Sequence, residues 1–282
     1  MSVIPTQKWL YKMMESCREP SGKSIADIQY ESICEPIKGL FPQADPEAWH
    51  EELLGNGLFE PSEWEQLEQF LKAAEGQKIW QIVQSEYELL RKLWRGPDVP
   101  IYILPITKVN PRPSEPMPKK NGVAYRRAIF LFLSAQLSAE ELRALFAHEY
   151  NHICRFDYVN RPPYDIELSD SLIIEGLGEY AVSELYDAKC LAPWTSMYSL
   201  EEALAIWQAY FVPAINVKGV NRHRPYLYGD PNTQLPKWIG YYIGYQIVHS
   251  FQKKCGPFHM KELLEKTAED IITGSSFAIH TE

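Results

Sequence analysis

The chain has 282 residues, 45% of them hydrophobic and 23% charged, a composition that fits a globular protein with one substantial domain or two moderate lobes. Its formal net charge of −9 speaks against general nucleic-acid binding, which depends on a cationic surface. The longest clean apolar run, Ala128-Ile129-Phe130-Leu131-Phe132-Leu133, falls far short of the roughly 20 residues that span a bilayer as a helix.

In chain order, the N-terminus lacks the basic-then-apolar layout of a secretion signal. Residues 4–17, 24–41, 46–54 and 61–94 carry apolar side chains at helical spacing, and Pro61 with Ser62, Glu63 and Glu65 suits a helix start. No ionisable cluster with ligand spacing occurs there, and His50 reads as an ordinary side chain. Residues 1–97 are therefore expected to form a helical N-terminal region that packs or walls a cleft, with the catalytic region in 98–282. From Val99 the periodicity changes. Residues 99–105 read as a short strand and 127–133 as a second, with Asn121-Gly122 marking a turn and 111–120 a Pro-rich, basic loop. The second strand leads directly into the next helix. An exposed strand edge beside that helix would hold an extended peptide through backbone hydrogen bonds.

That helix is the informative part of the chain. Ser138-Ala139-Glu140-Glu141 fits a capping box, and Leu142, Leu145, Phe146 and Ile153 follow at the spacing of one buried stripe, so a helix is expected over 138–156. It contains His148-Glu149-Tyr150-Asn151-His152. Residues i and i+4 share a helix face, so both imidazoles can reach one Zn²⁺ while the adjacent Glu149 can take a proton from water. The chain holds only 7 His, and a chance H-E-x-x-H match is on the order of one in a hundred at average residue usage. The bland alternative is a surface helix with polar residues at coincidental spacing. A structural zinc site would need four ligands, often Cys, and no C-x-x-C pair exists; Cys154 would point away from the His face.

A catalytic zinc takes three protein ligands and leaves one position open. The third candidate lies in a second expected helix over 169–182, where Glu175 and Glu179 are again four apart in an apolar context. Buried carboxylates need compensation: a metal would provide it for Glu175, and an imidazole N–H of a ligand His for Glu179, fixing that ring's tautomer. Gly176 and Gly178 weaken a helix by roughly 1 kcal/mol each, and close approach to the first helix would be one reason to have them. The last third again reads as helical over 200–211, 236–254 and 261–267, with a polar and aromatic loop over 221–230. His249 and His259 read as structural. Amide hydrolysis also needs a donor for the developing oxyanion. Tyr241 and Tyr245 share one helical face and are the first candidates, with His223 or Arg224 as alternatives. The five cysteines are odd in number and irregular in spacing, which argues for free thiols and a cytoplasmic setting.

His148-Glu149-x-x-His152 followed by Glu175 on a later helix resembles the gluzincin metallopeptidases. More closely, His148-Glu149-Tyr150-Asn151-His152-x-Cys154-Arg155 with Glu175-Gly176-Leu177-Gly178-Glu179 resembles the YjaZ-type predicted Zn-dependent proteases, as does Gly240-Tyr241-Tyr242-Ile243-Gly244-Tyr245. The resemblance covers roughly residues 102–251. It implies a zinc peptidase with His148, His152 and Glu175 as ligands, Glu149 as base and a peptide or protein as substrate. The 22 residues between His152 and Glu175 exceed the spacer of the best-known gluzincins, so the connecting loop must differ. The expected fold is α+β, mainly α: a gluzincin-like core of a small β-sheet, the H-E-x-x-H helix and the Glu helix, with helical N- and C-terminal parts. Competing functions are a zinc hydrolase acting on a non-peptide amide, a zinc-binding regulatory or interaction protein without turnover, and a purely structural helical protein.

Overall fold

The computed structural model describes residues 2–19, 22–42, 45–109 and 118–279. Its contacts divide the chain into two compact units, Met1–Leu89 with Asp98–Glu149 and Leu90–Pro97 with Tyr150–Glu282. The strands thus group with the N-terminal helices.

In the first unit, local capping chemistry starts α2 and α3. Ser24 accepts the Asp27 amide at 3.1 Å to open α2 (Ile25–Gln29), which follows α1 (Gln7–Arg18). The helical path runs on through a π-helical turn and a 3-10 stretch to Leu40. Asp45 accepts the Ala48 amide at 3.0 Å to open α3 (Pro46–Gly55), with Pro46 in the first helical position where its missing N–H costs nothing. The single helix expected over 61–94 is instead a 3-10 turn (Pro61–Gln66), α4 (Leu67–Gly76) and α5 (Ile79–Trp94). The break falls at Lys78, which takes a left-handed φ of 57°. Its carbonyl accepts the Ile82 amide and so starts α5. A lysine gives no sequence signal for that conformation.

The sheet has three strands, β1 (Ile101–Pro105), β2 (Lys120–Tyr125) and β3 (Ala128–Leu133), in the order β1-β3-β2. β3 pairs parallel with β1 and antiparallel with β2. Every residue of β1 and β3 is buried, which explains their unbroken apolar runs. Two expectations change here. Asn121-Gly122 lies inside β2, and the hairpin turn falls at Arg126-Arg127. The strand leading into the next helix is central, and β1 and β2 are the terminal strands. Most of the Pro-rich loop expected over 111–120 lies outside the described residues.

Helix α6 (Ala139–Val159) carries the chain from the first unit into the second. In the second unit, Tyr150 stacks on Trp94 at 6.0 Å and donates to the Pro97 carbonyl at 3.0 Å. There follow α7 (Leu168–Leu185), α8 (Leu200–Ile206), α9 (Val220–Tyr228), α10 (Ile239–Cys255), α11 (Met260–Leu264) and α12 (Ala268–Thr273). α7 is buried on almost every side and packs along α10. A Cβ on Gly176 would lie 2.2 Å from the Gly244 carbonyl oxygen, and one on Gly244 would lie 2.3 Å from that of Leu172. The close approach of Gly176 is therefore to α10, not to the H-E-x-x-H helix. The stretch expected as a loop over 221–230 is largely helix α9. It survives Pro225, the sixth of its nine residues, because the proline removes a single ladder bond, while His223 and Leu227, four apart, give the helix a buried face. Among the described residues no helix is long and apolar enough to cross a membrane, and all five cysteines are free.

Candidate metal centre

The start of α6 is fixed by chemistry visible in its sequence. The Ser138 amide donates to Glu141 Oε2 at 3.0 Å while the Glu141 amide donates to Ser138 Oγ at 3.2 Å. Those bonds, from backbone and hydroxyl, hold the Glu141 carboxyl below the usual range. From this start, His148 and His152 fall one turn apart on one face of a 21-residue helix. At the far end, Arg155 is buried to 1% exposure and its Nη1 donates to the carbonyls of Leu264 and Lys266 at 2.6 Å each. Burial lowers the guanidinium to about 10. The amide of Asn151, wholly buried, meets the Met260 sulfur at 3.2 Å. These contacts pin the second half of α6 to the C-terminal helices.

Helix α7 supplies the third donor. Its start is tied by the Glu167 amide on Asp170 Oδ2 at 3.3 Å and by an Arg161–Asp170 ion pair. Two turns on, Glu175 Oε2 stands 3.5 Å from His152 Nε2. Two donors each about 2.05 Å from a tetrahedral zinc would be roughly 3.3 Å apart, so this spacing fits a pair of ligands to one zinc. One ligand atom from each of His148, His152 and Glu175 lies within 4.8 Å of the others. Among the described residues this is the one His/Cys/Asp/Glu group of that size close enough to hold an ion. Two imidazole nitrogens and a carboxylate oxygen form the donor set of an open catalytic zinc site, not of a closed structural one. The residues present fit the metal.

Glu149 sits on the same helix and is buried. Beside it runs β2: a Cβ on Gly122 would lie 2.4 Å from Glu149 Cγ and 2.5 Å from Oε1. Nothing in the sequence tied Gly122 to the site, although a glycine inside a strand often marks close approach. The Ser134 amide bonds the Lys119 carbonyl at 2.8 Å. By the alternation of an antiparallel ladder, the N–H and C=O groups of Lys120, Gly122 and Ala124 then point away from β3, toward the sheet edge.

The remaining expected residues fall in distinct places. Glu179, buried one turn after Glu175, accepts the Ala192 amide on Oε1 at 2.6 Å. Tyr245 bonds Ser183, and burial, together with the Glu179 and Glu184 charges, raises its phenol above the ordinary value. Tyr241 donates to the Tyr228 hydroxyl at 3.1 Å. α7 and α10 run parallel, since Leu172 meets Gly244, Gly176 meets Val248 and Tyr180 meets Gln252. By the same contacts Glu175 falls level with Ile247, nearer to Tyr245 than to Tyr241, which lies one turn further back. His223 is fully buried; its Nε2 donates to the Val217 carbonyl and its Nδ1 accepts from Ser171 Oγ, both at 2.7 Å. With both nitrogens committed it is structural. The Arg224 guanidinium sits 5.3 Å over the Tyr228 ring.

Comparison with known proteins agrees with this geometry. The family described as Predicted Zn-dependent protease (DUF2268) matches residues 79–273. The chain belongs to that family. It is 33% identical over 255 residues to the uncharacterized protein YjaZ of Bacillus subtilis (strain 168), covering 89% of this chain and 91% of the relative. A second relative, the uncharacterized protein YjfC of the same organism, is 32% identical over 123 residues, 39% of this chain and 40% of its own length. No solved structure gives a significant match. The family's zinc dependence accords with the His148–His152–Glu175 group, and the matched span contains both helices that carry it.

Proposed function

We propose that the chain is a zinc metallopeptidase of the gluzincin kind, with His148, His152 and Glu175 as ligands and Glu149 as general base. The observation that carries this reading is the donor group itself: two imidazoles one turn apart on α6 and a carboxylate of α7 at tetrahedral-edge distance. Zinc held there supplies Lewis acidity toward a water and a carbonyl oxygen. Glu149 takes the proton of the attacking water and delivers it to the leaving amine. Its burial against Gly122 keeps the carboxylate in one orientation, which such a transfer needs. Glu179 orients the ligand imidazoles from one turn further along α7. The oxyanion donor is one of Tyr241 and Tyr245, whose hydroxyls are bonded to Tyr228 and Ser183 respectively.

The substrate is a peptide in extended form. The outward N–H and C=O groups of Gly122 and Ala124 offer a strand-like partner to its main chain, and Gly122 sets that partner directly beside Glu149. Such binding reads backbone before side chains. The five free cysteines support a reducing, cytoplasmic setting.

The test is a pair of variants assayed on a peptide panel with product mass analysis. Glu149→Gln should keep its zinc and lose hydrolysis by about 10²-fold or more, whereas His148→Ala should lose the metal. Undiminished hydrolysis by the first, or equal zinc loss in both, contradicts the assigned roles.

A further inference from the structure

A second feature of α9 and α10 is not used by the chemistry above. Trp238, the residue before α10, takes a left-handed φ of 62°, a conformation that bulky side chains avoid. Its amide donates to the Tyr228 carbonyl at 2.9 Å, and the Tyr198 hydroxyl donates to the neighbouring Lys237 carbonyl. Residues held this way cluster at ligand-binding positions. Here the strain sets an indole into a ring cluster. Trp238 lies 5.1 Å from Tyr228 and 5.1 Å from Tyr241, Tyr228 lies 5.4 Å from Tyr241, and Trp194 lies 5.3 Å from Tyr241. Trp194 is buried, Trp238 and Tyr241 are half-buried and Tyr228 is exposed. The cluster thus runs from a buried ring at Trp194 to an exposed one at Tyr228.

Its position relative to Glu175 follows from contacts within the same unit. The segment bearing Trp194 hangs on α7 through the Ala192 amide and Glu179. Glu179 is about 6 Å of helix rise from Glu175, and two residues of chain reach about 7 Å. A peptide bound at the donor set, advancing about 3.4 Å per residue, meets the rings within a few residues of its scissile bond. The rim is cationic: the Arg224 guanidinium lies 5.3 Å over Tyr228 and the Lys237 ammonium 5.9 Å over Trp238. The acidic residue nearest in sequence, Asp230, takes the Asn232 amide on its carboxylate at 2.9 Å. A basic side chain would be repelled here, on a chain whose net charge is −9; a carboxylate would be attracted.

We propose that Trp194, Tyr228, Trp238 and Tyr241 form the subsite for a large apolar or aromatic side chain of the substrate, and that Arg224 and Lys237 hold a carboxylate next to it. The inference rests on the peptidase reading and adds a substrate class to it: segments in which an aromatic residue adjoins an acidic one.

The test separates the two. Zinc-loaded Glu149→Gln protein is titrated by calorimetry with blocked hexapeptides in which a Phe-Glu pair is walked along an otherwise Ala-Gln chain. The best Phe-Glu peptide should bind about tenfold or more tightly than the Ala-Gln peptide. Trp238→Ala should abolish the preference for Phe. The double variant Arg224→Gln, Lys237→Gln, at exposed positions, should keep the preference for Phe and lose that for Glu, about threefold. Equal binding of all peptides, or a preference for Phe-Glu that survives both variants, overturns the subsite. If wild-type protein cleaves peptides without that preference, the peptidase reading stands and the subsite falls. If no peptide is cleaved yet the selective binding persists, the subsite stands and the peptidase reading falls.

Discussion

Beside β2, the room that Gly122 leaves is filled by the side chain of Glu149, whereas between α7 and α10 the room that Gly176 and Gly244 leave is filled by backbone carbonyls. The two regions use the same residue type for different ends. A side chain can swing aside when crowded, at little cost in stability but at the expense of its orientation. A carbonyl inside a packed helix pair cannot move without the helix moving with it. On the proposed roles, the first glycine belongs to the chemistry and the other two to the scaffold that holds Glu175.

The comparison predicts effects of different size and kind. The largest is expected at the helix crossing: Gly176→Val should destabilise the protein by roughly 3 kcal/mol or more through overpacking against backbone, read as a shift in denaturant midpoint. A folded Gly176→Val variant of wild-type stability would mean the helices are not held at that distance. Gly122→Ala should do the reverse, leaving the midpoint almost unchanged while kcat/KM falls by about 10- to 100-fold as Glu149 is displaced. Loss of stability with intact activity would place Gly122 in the scaffold class.

The smallest effect concerns His223, buried beside Ser171 on α7. Burial lowers its pKa below the ordinary value, against a smaller raising influence of the Val217 carbonyl. The unfolded chain then binds this proton more readily than the folded one. Stability from His223 is complete above about pH 6.5 and declines as pH falls below it, by at most about 1.4 kcal/mol per pH unit for one proton. Denaturant midpoints at pH 7.5, 6.5 and 5.5, chosen around that value, should fall more steeply for the wild type than for His223→Gln. Parallel curves would contradict the assignment.

Much of this was legible in the sequence because short-range chemistry governs it. The Ser138–Glu141 box and the apolar stripe gave α6, and the four-residue spacings of His148 and His152 and of Glu175 and Glu179 gave the two site helices. What escaped depends on long-range contact. Asn121-Gly122 has the composition of a turn and became strand because β3 supplies a pairing partner. α9 was hidden by Pro225, and the break at Lys78 by a residue type with no left-handed preference. The expectation that Gly176 faces the first site helix failed because a glycine announces close approach without saying to what. Gly122, Asn151 and Arg155 acquire their roles from residues distant in sequence, Gly122 from Glu149, Asn151 from Met260 and Arg155 from Leu264 and Lys266.

The most direct measurement is zinc content per chain in protein purified without chelator, for the wild type and for Glu175→Ala. One ion per wild-type chain, and a large loss of both content and affinity in the variant, is the outcome that a three-ligand site on α6 and α7 predicts. A metal-free wild type, or a Glu175→Ala variant that retains zinc at wild-type stoichiometry and affinity, would contradict it.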